Sequence, residues 1–332
     1  MSTSKFEEEA PAPALPAGYA QTSCLVATVP EATGILAVDV SHLAYRSSFA
    51  YRELTTADGR FSGHVYGSCR LLLAALQNHL PPGRWLPVFA YDGVNAREVR
   101  QKILPAYKAK RGERYNPVPD VSAVTNLVTG LHIKHPDREG DDALAWAAER
   151  LARADRPFVV LSGDRDIWAL RRYPGVQVWS PNLKRFVTSD DVTKAYSVTA
   201  PERIYLAKAL FGDSSDGIRG LGFFKKQMAP HLQHPDCVDV ESLYQLALAA
   251  DKKVTTQNTK NKLELNRATV ETHLQVVTPI TTGFEPHHVR RGTNDQALFE
   301  AAMHHYECRT LVDKAPFFFG AEFYSGVQEE GV

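Results

Sequence analysis

Three short apolar runs in this chain each stop on an aspartate: "ILAVD" at Asp39, "WLPVFAYD" at Asp92 and "PFVVLSGD" at Asp164. Between them, from Gly63 to His79 and from Asp141 to Ala154, apolar residues recur at helical spacing. Such runs read as buried strands. Strands alternating with amphipathic helices predict an α/β fold, a mostly parallel sheet with helices on both faces. Parallel strands finish at one edge, and such sheets collect ligands beyond their carboxyl ends, where these aspartates would sit.

With 44% hydrophobic residues among 332, the chain can build a sizeable core around that sheet. It has no apolar run of transmembrane length. The N-terminus is acidic and lacks a signal-peptide core, so a cytoplasmic location is expected. The stretch "FEEEAPAPALPAGYAQ" has too little apolar surface to offset its ordering entropy, and residues 1–29 are expected to form a flexible tail. Residues 30–199 then form the α/β domain. From about Pro201 the pattern turns to helices: "PERIYLAKALFG", the Gly-rich turn "GDSSDGIRGLG", and further helical segments to roughly Val277. Residues 200–332 are therefore expected to be a helical region with a C-terminal extension. The cysteines Cys24, Cys69, Cys237 and Cys308 lack ligand spacing and suggest neither a disulfide framework nor a zinc site.

Net charge is +0, but local patches govern binding to polyanions. Between Arg97 and Arg114 the bases Arg97, Arg100, Lys102, Lys108, Lys110, Arg111 and Arg114 meet only two acids, Glu98 and Glu113. With closely spaced like charges and few apolar residues, residues 97–119 are expected to be loosely attached and to order on a phosphate strand.

Acids stand at Asp39, Asp92, Glu139, Asp141, Asp142, Asp164, Asp166, Asp213 and Asp216, most of them at a strand end or a helix start. Singly, Asp141 and Asp213 read as helix caps and Asp92 as a turn residue. Gathered at one sheet edge, they would repel one another unless cations intervened. Oxygen ligands without His or Cys select Mg²⁺ or Mn²⁺, and two such ions about 4 Å apart can drive phosphodiester hydrolysis.

At these residues the chain resembles the flap endonuclease/5′-nuclease family, which includes phage 5′–3′ exonucleases and the 5′-nuclease domain of bacterial DNA polymerase I. "ILAVDVSHLAYRS", "VFAYDG", "EGDDALA", "LSGDRDIWAL" and "GDSSDGIRG" follow the family's order from Ile35 onward, and the resemblance runs to about Lys226. It implies a PIN-like sheet, a helical arch at about 97–119 and a helix–three-turn–helix that grips duplex DNA. It implies two Mg²⁺ ions, with Mn²⁺ able to substitute. Their first ligands would be Asp39, Asp92, Glu139, Asp141 and Asp164, with Asp142, Asp166, Asp213 and Asp216 near the second ion. It assigns Lys108, Arg111 and Arg100 to the reacting phosphate, and Lys110, Arg114, Gly220, Gly222, Lys225 and Lys226 to DNA binding. A K⁺ site belongs to the family's turn, but here Phe223 and Phe224 replace its small residues.

The implied partners are DNA with 5′ flaps, nicks or 5′ ends, cleaved in replication or repair. A phage-type protein would act in the bacterial host cytoplasm. Carboxylates do not read the sugar, so removal of RNA primers from RNA–DNA hybrids stays open. A DNA-junction binder without chemistry would lose ligands first, and none is missing. A small-molecule phosphohydrolase would leave the arch and the helical half without purpose.

Overall fold

The strands are β1 (Gly34–Asp39), β2 (Gly83–Tyr91), β3 (Leu131–Lys134), β4 (Phe158–Leu161), β5 (Val176–Ser180), β6 (Arg185–Phe186), β7 (Val289–Arg291) and β8 (Phe323–Ser325). They form one sheet in the order β6-β5-β4-β1-β2-β3-β7, with β8 against the start of β2. Neighbours within β5-β4-β1-β2-β3 run parallel, so their carboxyl ends share one edge. The computed structural model describes residues 32–110, 112, 115–223, 225–319 and 323–325. The tail expected over residues 1–29 lies outside the described residues, as do Arg111, Arg114 and Phe224.

All six residues of β1 are buried, as a central parallel strand requires. The period-2 alternation splits them: Ile35 and Ala37 join one core, Leu36 and Val38 the other. The first core packs the helix Gly140–Leu151 and the helices Ile204–Phe211, Val240–Ala249 and Gln257–Val277 through Leu144, Leu210, Leu243 and Leu263. The second takes the helices Val40–Ala50, Gly63–Ala74, Val118–Leu127 and Gln296–His305 through Leu43, Leu72, Val124 and Phe299. The expected α/β architecture with helices on both faces is therefore found. The helix expected from Gly63 widens into a π-helix over Ala75–His79.

Two features depart from expectation. Residues 200–332 are not wholly helix and extension, because β7 and β8 return to the sheet and pair antiparallel with β3 and β2. Segments of three residues show no period, and their pairing partners lie far away in sequence. The base of the segment 97–119 is also anchored. It opens with the helix Ala96–Ile103, and both Arg100 and Tyr107 are buried. Among the described residues, no helix is long and apolar enough to cross a membrane.

Candidate active site

A cavity of about 660 Å³ opens beyond the carboxyl ends of the parallel strands, lined by Asp39, Asp92, Glu139, Asp141, Asp164, Asp166, Asp213 and Asp216. Asp39 ends β1 and also caps the helix Val40–Ala50, its Oδ1 accepting from His42 N at 2.9 Å. Its other oxygen accepts from Ser162 Oγ at 3.0 Å. Asp92 follows β2 and accepts from Ser41 Oγ at 2.6 Å and Gly140 N at 2.7 Å. The cap and the cavity acid are thus the same residue at Asp39.

Beyond β4, Asp164 Oδ1 accepts from Asp166 N at 2.9 Å, which holds this pair in one turn. Asp213 and Asp216 come from a loop closed by two backbone bonds between Asp213 and Ile218, at 2.8 and 2.9 Å. Its neck needs glycine: a Cβ on Gly212, which has φ +79°, would lie 2.3 Å from Gly220 N. On the far side, Lys108 N donates to Asp216 O at 2.8 Å.

Crowding shows in the acids' proton affinities. Burial, with the charges of Asp92 and Asp164, raises Asp39 from the ordinary 3.8 to about 7. Burial and the charges of Asp164 and Asp39 raise Asp141 well above its ordinary value. Asp166 rises to about 6, mainly through burial, although the Lys208 charge opposes this. A site holding this much uncompensated negative charge suits a divalent cation, and its all-oxygen donor set suits a hard one. One oxygen each of Asp166, Asp213 and Asp216 lie within 4.8 Å of one another.

A pH effect follows for the metal-free protein. The folded Asp39 titrates near 7 and an unfolded aspartate near 3.8, so between those values the folded state holds the extra proton. The contribution of Asp39 to stability should therefore fall as pH rises from about 4 to about 7. Asparagine can still cap the helix. In EDTA, Asp39→Asn should match the parent near pH 4 and melt at a higher temperature at pH 8. A parent at least as stable as the variant at pH 8 would remove burial and repulsion as the cause.

Two expected residues stand elsewhere. Asp142 is buried and turned from the cavity, accepting from Glu139 N and Ile280 N at 2.8 Å each. It ties the helix start to the irregular segment that follows the helix Gln257–Val277, and burial raises its pKa against the lowering effect of Arg100. Arg100 does not reach the cavity. It is buried, 2.5 Å from Asp142 Oδ1 and 3.2 Å from Glu139 Oε2, so its charge is spent on these acids and not on a phosphate. Both placements differ from the expectation, and both arise because the start of the segment 97–119 pairs with the first turn of the helix Gly140–Leu151.

Lys108 does line the cavity, its Nζ 2.7 Å from Glu139 Oε1 and 4.0 Å from Asp216 Oδ1. Burial would lower its pKa, but the Glu139 and Asp216 charges raise it on balance. Lys225, expected on the duplex side, also lines the cavity and lies over the Phe211 ring. Lys110, Lys226, Gly220 and Gly222 are exposed. Phe223 is buried in the first core, which accounts for a large residue in that turn. Gly222 O accepts from Lys262 Nζ at 3.0 Å, so one carbonyl of the turn expected to hold K⁺ already has a cationic partner.

Lys208 is absent from the sequence reading, yet it lies at the centre of the second acid group. Its signal was available: one lysine in the otherwise apolar helix "IYLAKALF" must find buried partners. Tyr107, whose hydroxyl donates to Glu139 Oε2 at 2.8 Å, is a second such residue.

Residues 34–197 match the family model described as the 5′-3′ exonuclease, N-terminal resolvase-like domain. The chain is 34% identical over 202 residues to the thermostable DNA polymerase I of Thermus filiformis, covering 60% of this chain and 23% of the polymerase. It is 29% identical over 188 residues to a 5′-3′ exonuclease of Aquifex aeolicus, covering 55% of this chain and 63% of that one. It therefore spans less than a quarter of that polymerase's length. In fold it is similar to the phage T5 D15 protein co-crystallised with metal ions, with 16% identity, a TM-score of 0.56, and coverage of 85% of this chain and 96% of that one. T5 5′-exonuclease with bound zinc is similar at 17% identity, TM-score 0.53, and the same coverage of each chain.

Proposed function

Because the chain belongs, through residues 34–197, to the 5′-3′ exonuclease family, we propose that its acidic cavity hydrolyses phosphodiester bonds near the 5′ ends of flapped or nicked DNA. The observation that carries this reading is a single cavity that joins eight carboxylates to Lys108, Lys208 and Lys225. A small-molecule site would not need so many acids. Asp39, Asp92, Glu139, Asp141 and Asp164 would hold one Mg²⁺, and Asp166, Asp213 and Asp216 a second, with Mn²⁺ able to substitute. Metal bound there would supply an activated water and stabilise the leaving oxygen.

The chain's own side chains do the rest. Lys108 presents an ammonium beside Glu139 where the phosphate would lie, and Lys225 adds charge from the helix Lys225–Gln233. Tyr45 lines the cavity with an exposed ring, which a base near the scissile bond can stack on. We read residues 30–199 as the catalytic part, residues 97–119 as its arch and the helices after residue 200 as the duplex-binding part. The reaction would leave 5′-phosphate and 3′-hydroxyl ends and belongs to DNA replication or repair.

The deciding experiment is a time course on 5′-labelled flap, nicked and blunt duplexes, with Mg²⁺ or with EDTA. Mg²⁺-dependent cleavage that favours the flap or nick supports the reading; no cleavage of any substrate overturns it. Matched RNA 5′ flaps in the same assay report whether primers are also substrates.

Lys108→Ala should slow single-turnover cleavage by roughly 10²–10³-fold, the scale of one lost transition-state donor, while changing DNA affinity far less. A parental rate at saturating enzyme with weaker binding would reduce Lys108 to a phosphate contact. Lys226, exposed at the start of its helix, should act through phosphate alone. Lys226→Ala should lower the slope of log affinity against log salt by about 0.9 on B-form duplex, without altering sequence preference. An unchanged slope would move the duplex contact elsewhere.

A further inference from the structure

Lys208 is the only charged residue on the helix Ile204–Phe211, and its side chain is 3% exposed. Its ammonium contacts Asp166, lies 2.8 Å from Asp213 Oδ2 and stands 3.5 Å from Asp216 Oδ2. These are the three carboxylates whose oxygens gather within 4.8 Å of one another. The ammonium therefore sits among the oxygens that a second divalent ion would need.

Resting on the nuclease reading above, we propose that Lys208 is the resident cation of the second metal position, and that a divalent ion enters there only by displacing it. An Mg²⁺ ion takes its oxygens at about 2.0–2.1 Å, and a Ca²⁺ ion at about 2.3–2.6 Å. Nζ already stands among those oxygens, so an ion at such distances would occupy much the same space, and two cations so close repel. Binding is thus selective for the conformer with the lysine withdrawn, and the apparent affinity is lowered by that conformer's population. If the withdrawn form makes up about 1–10% of molecules, the second site is weakened 10- to 100-fold.

The helix directs where the ammonium goes. Its flanking residues Ala207, Ala209 and Leu210 are buried in the first core, which offers no partner for a charge. The cavity is the remaining direction, and Lys208 already lines it. There the oxygens of a phosphodiester would accept from it. Second-ion entry and seating of the strand would then favour each other, a reciprocal coupling. Lys208 is in this sense a positioning residue, with its effect read in metal affinity.

The test is calorimetric titration of the full chain with Ca²⁺, comparing the parent with Lys208→Met, Lys208→Gln and Lys208→Arg. The first site should be alike in all four, since it draws on Asp39, Asp92, Glu139, Asp141 and Asp164. The second should be at least 10-fold tighter in the Met and Gln variants, and as weak as in the parent in the Arg variant. Without metal the neutral variants should melt lower than the parent, and Ca²⁺ should raise their Tm by more. Flap DNA should tighten the second site in the parent and leave it unmoved in Lys208→Met. A second site equally tight or weaker in both neutral variants overturns this inference alone, because the intact first site preserves the metal-dependent reading. Absence of any Ca²⁺ site in the parent sinks both. If Lys208→Met fails to fold, Lys208→Gln decides the matter.

Discussion

Asp141→Asn is expected to abolish cleavage while leaving the chain folded and, without metal, harder to melt. Asp141 lies in the first turn of the helix Gly140–Leu151, where a negative charge gains about 0.3–1 kcal/mol from the helix dipole. Burial and repulsion from Asp164 and Asp39 outweigh that gain, because the pKa of Asp141 is raised on balance. An amide of the same shape removes the repulsion and keeps the packing. It also removes a charge that the proposed metal requires. The loss of rate should exceed the roughly 10²–10³-fold of a single transition-state donor. Single-turnover product formation and melting in EDTA measure both halves. Turnover within tenfold of the parent would take Asp141 out of the metal set. A lower melting temperature would mean that its charge serves the fold.

Arg100→Ala should cost about 3–5 kcal/mol of stability, the scale for removing one partner of a buried ion pair. Arg100 is 3% exposed, and its guanidinium pairs with Asp142 and Glu139. It also donates to the Val276 carbonyl, and to Thr278 O at 3.4 Å, at the end of the helix Gln257–Val277. Truncation leaves the buried Asp142 without its counter-charge, Glu139 with Lys108 alone, and two carbonyls short of a donor. Lysine cannot replace it, since one ammonium cannot span the fork. Urea unfolding is the measurement. A change under about 1 kcal/mol would show that the start of the segment 97–119 does not depend on this residue.

The parallel sheet and three of the eight cavity acids were legible because strand ends are local signals. An apolar run that stops on an acid announces both its burial and the edge where it emerges, as at Asp39, Asp92 and Asp164. Tertiary pairing is not written that way. Arg100 sits in a basic stretch that looks free, and only the distant residues Asp142, Val276 and Thr278 explain its burial. Asp142 stands one residue from Asp141, but helical rotation turns it from the cavity into a bond with Ile280 N, 138 positions away. Lys208 was legible in principle, as a charge in an apolar helix; its partners were not. β7 and β8 escaped because strands of three residues carry too few positions to set a period.

The return of β7 to the sheet has a mechanical consequence. The chain leaves the sheet after β6 and rejoins it beside β3, so residues 187–288 are welded at both ends, not hung from one. Their helices also share a continuous core with the helix Gly140–Leu151, through Leu144, Leu210, Met228 and Leu243. An appendage on a single tether could swing and blur the distance between where DNA is held and where it is cut. A part fixed at both ends behaves as a ruler with its zero mark set in the sheet. A duplex held by that half, as proposed, would present the same bond to the cavity whatever its sequence, and the length of the released fragment would be a property of the frame.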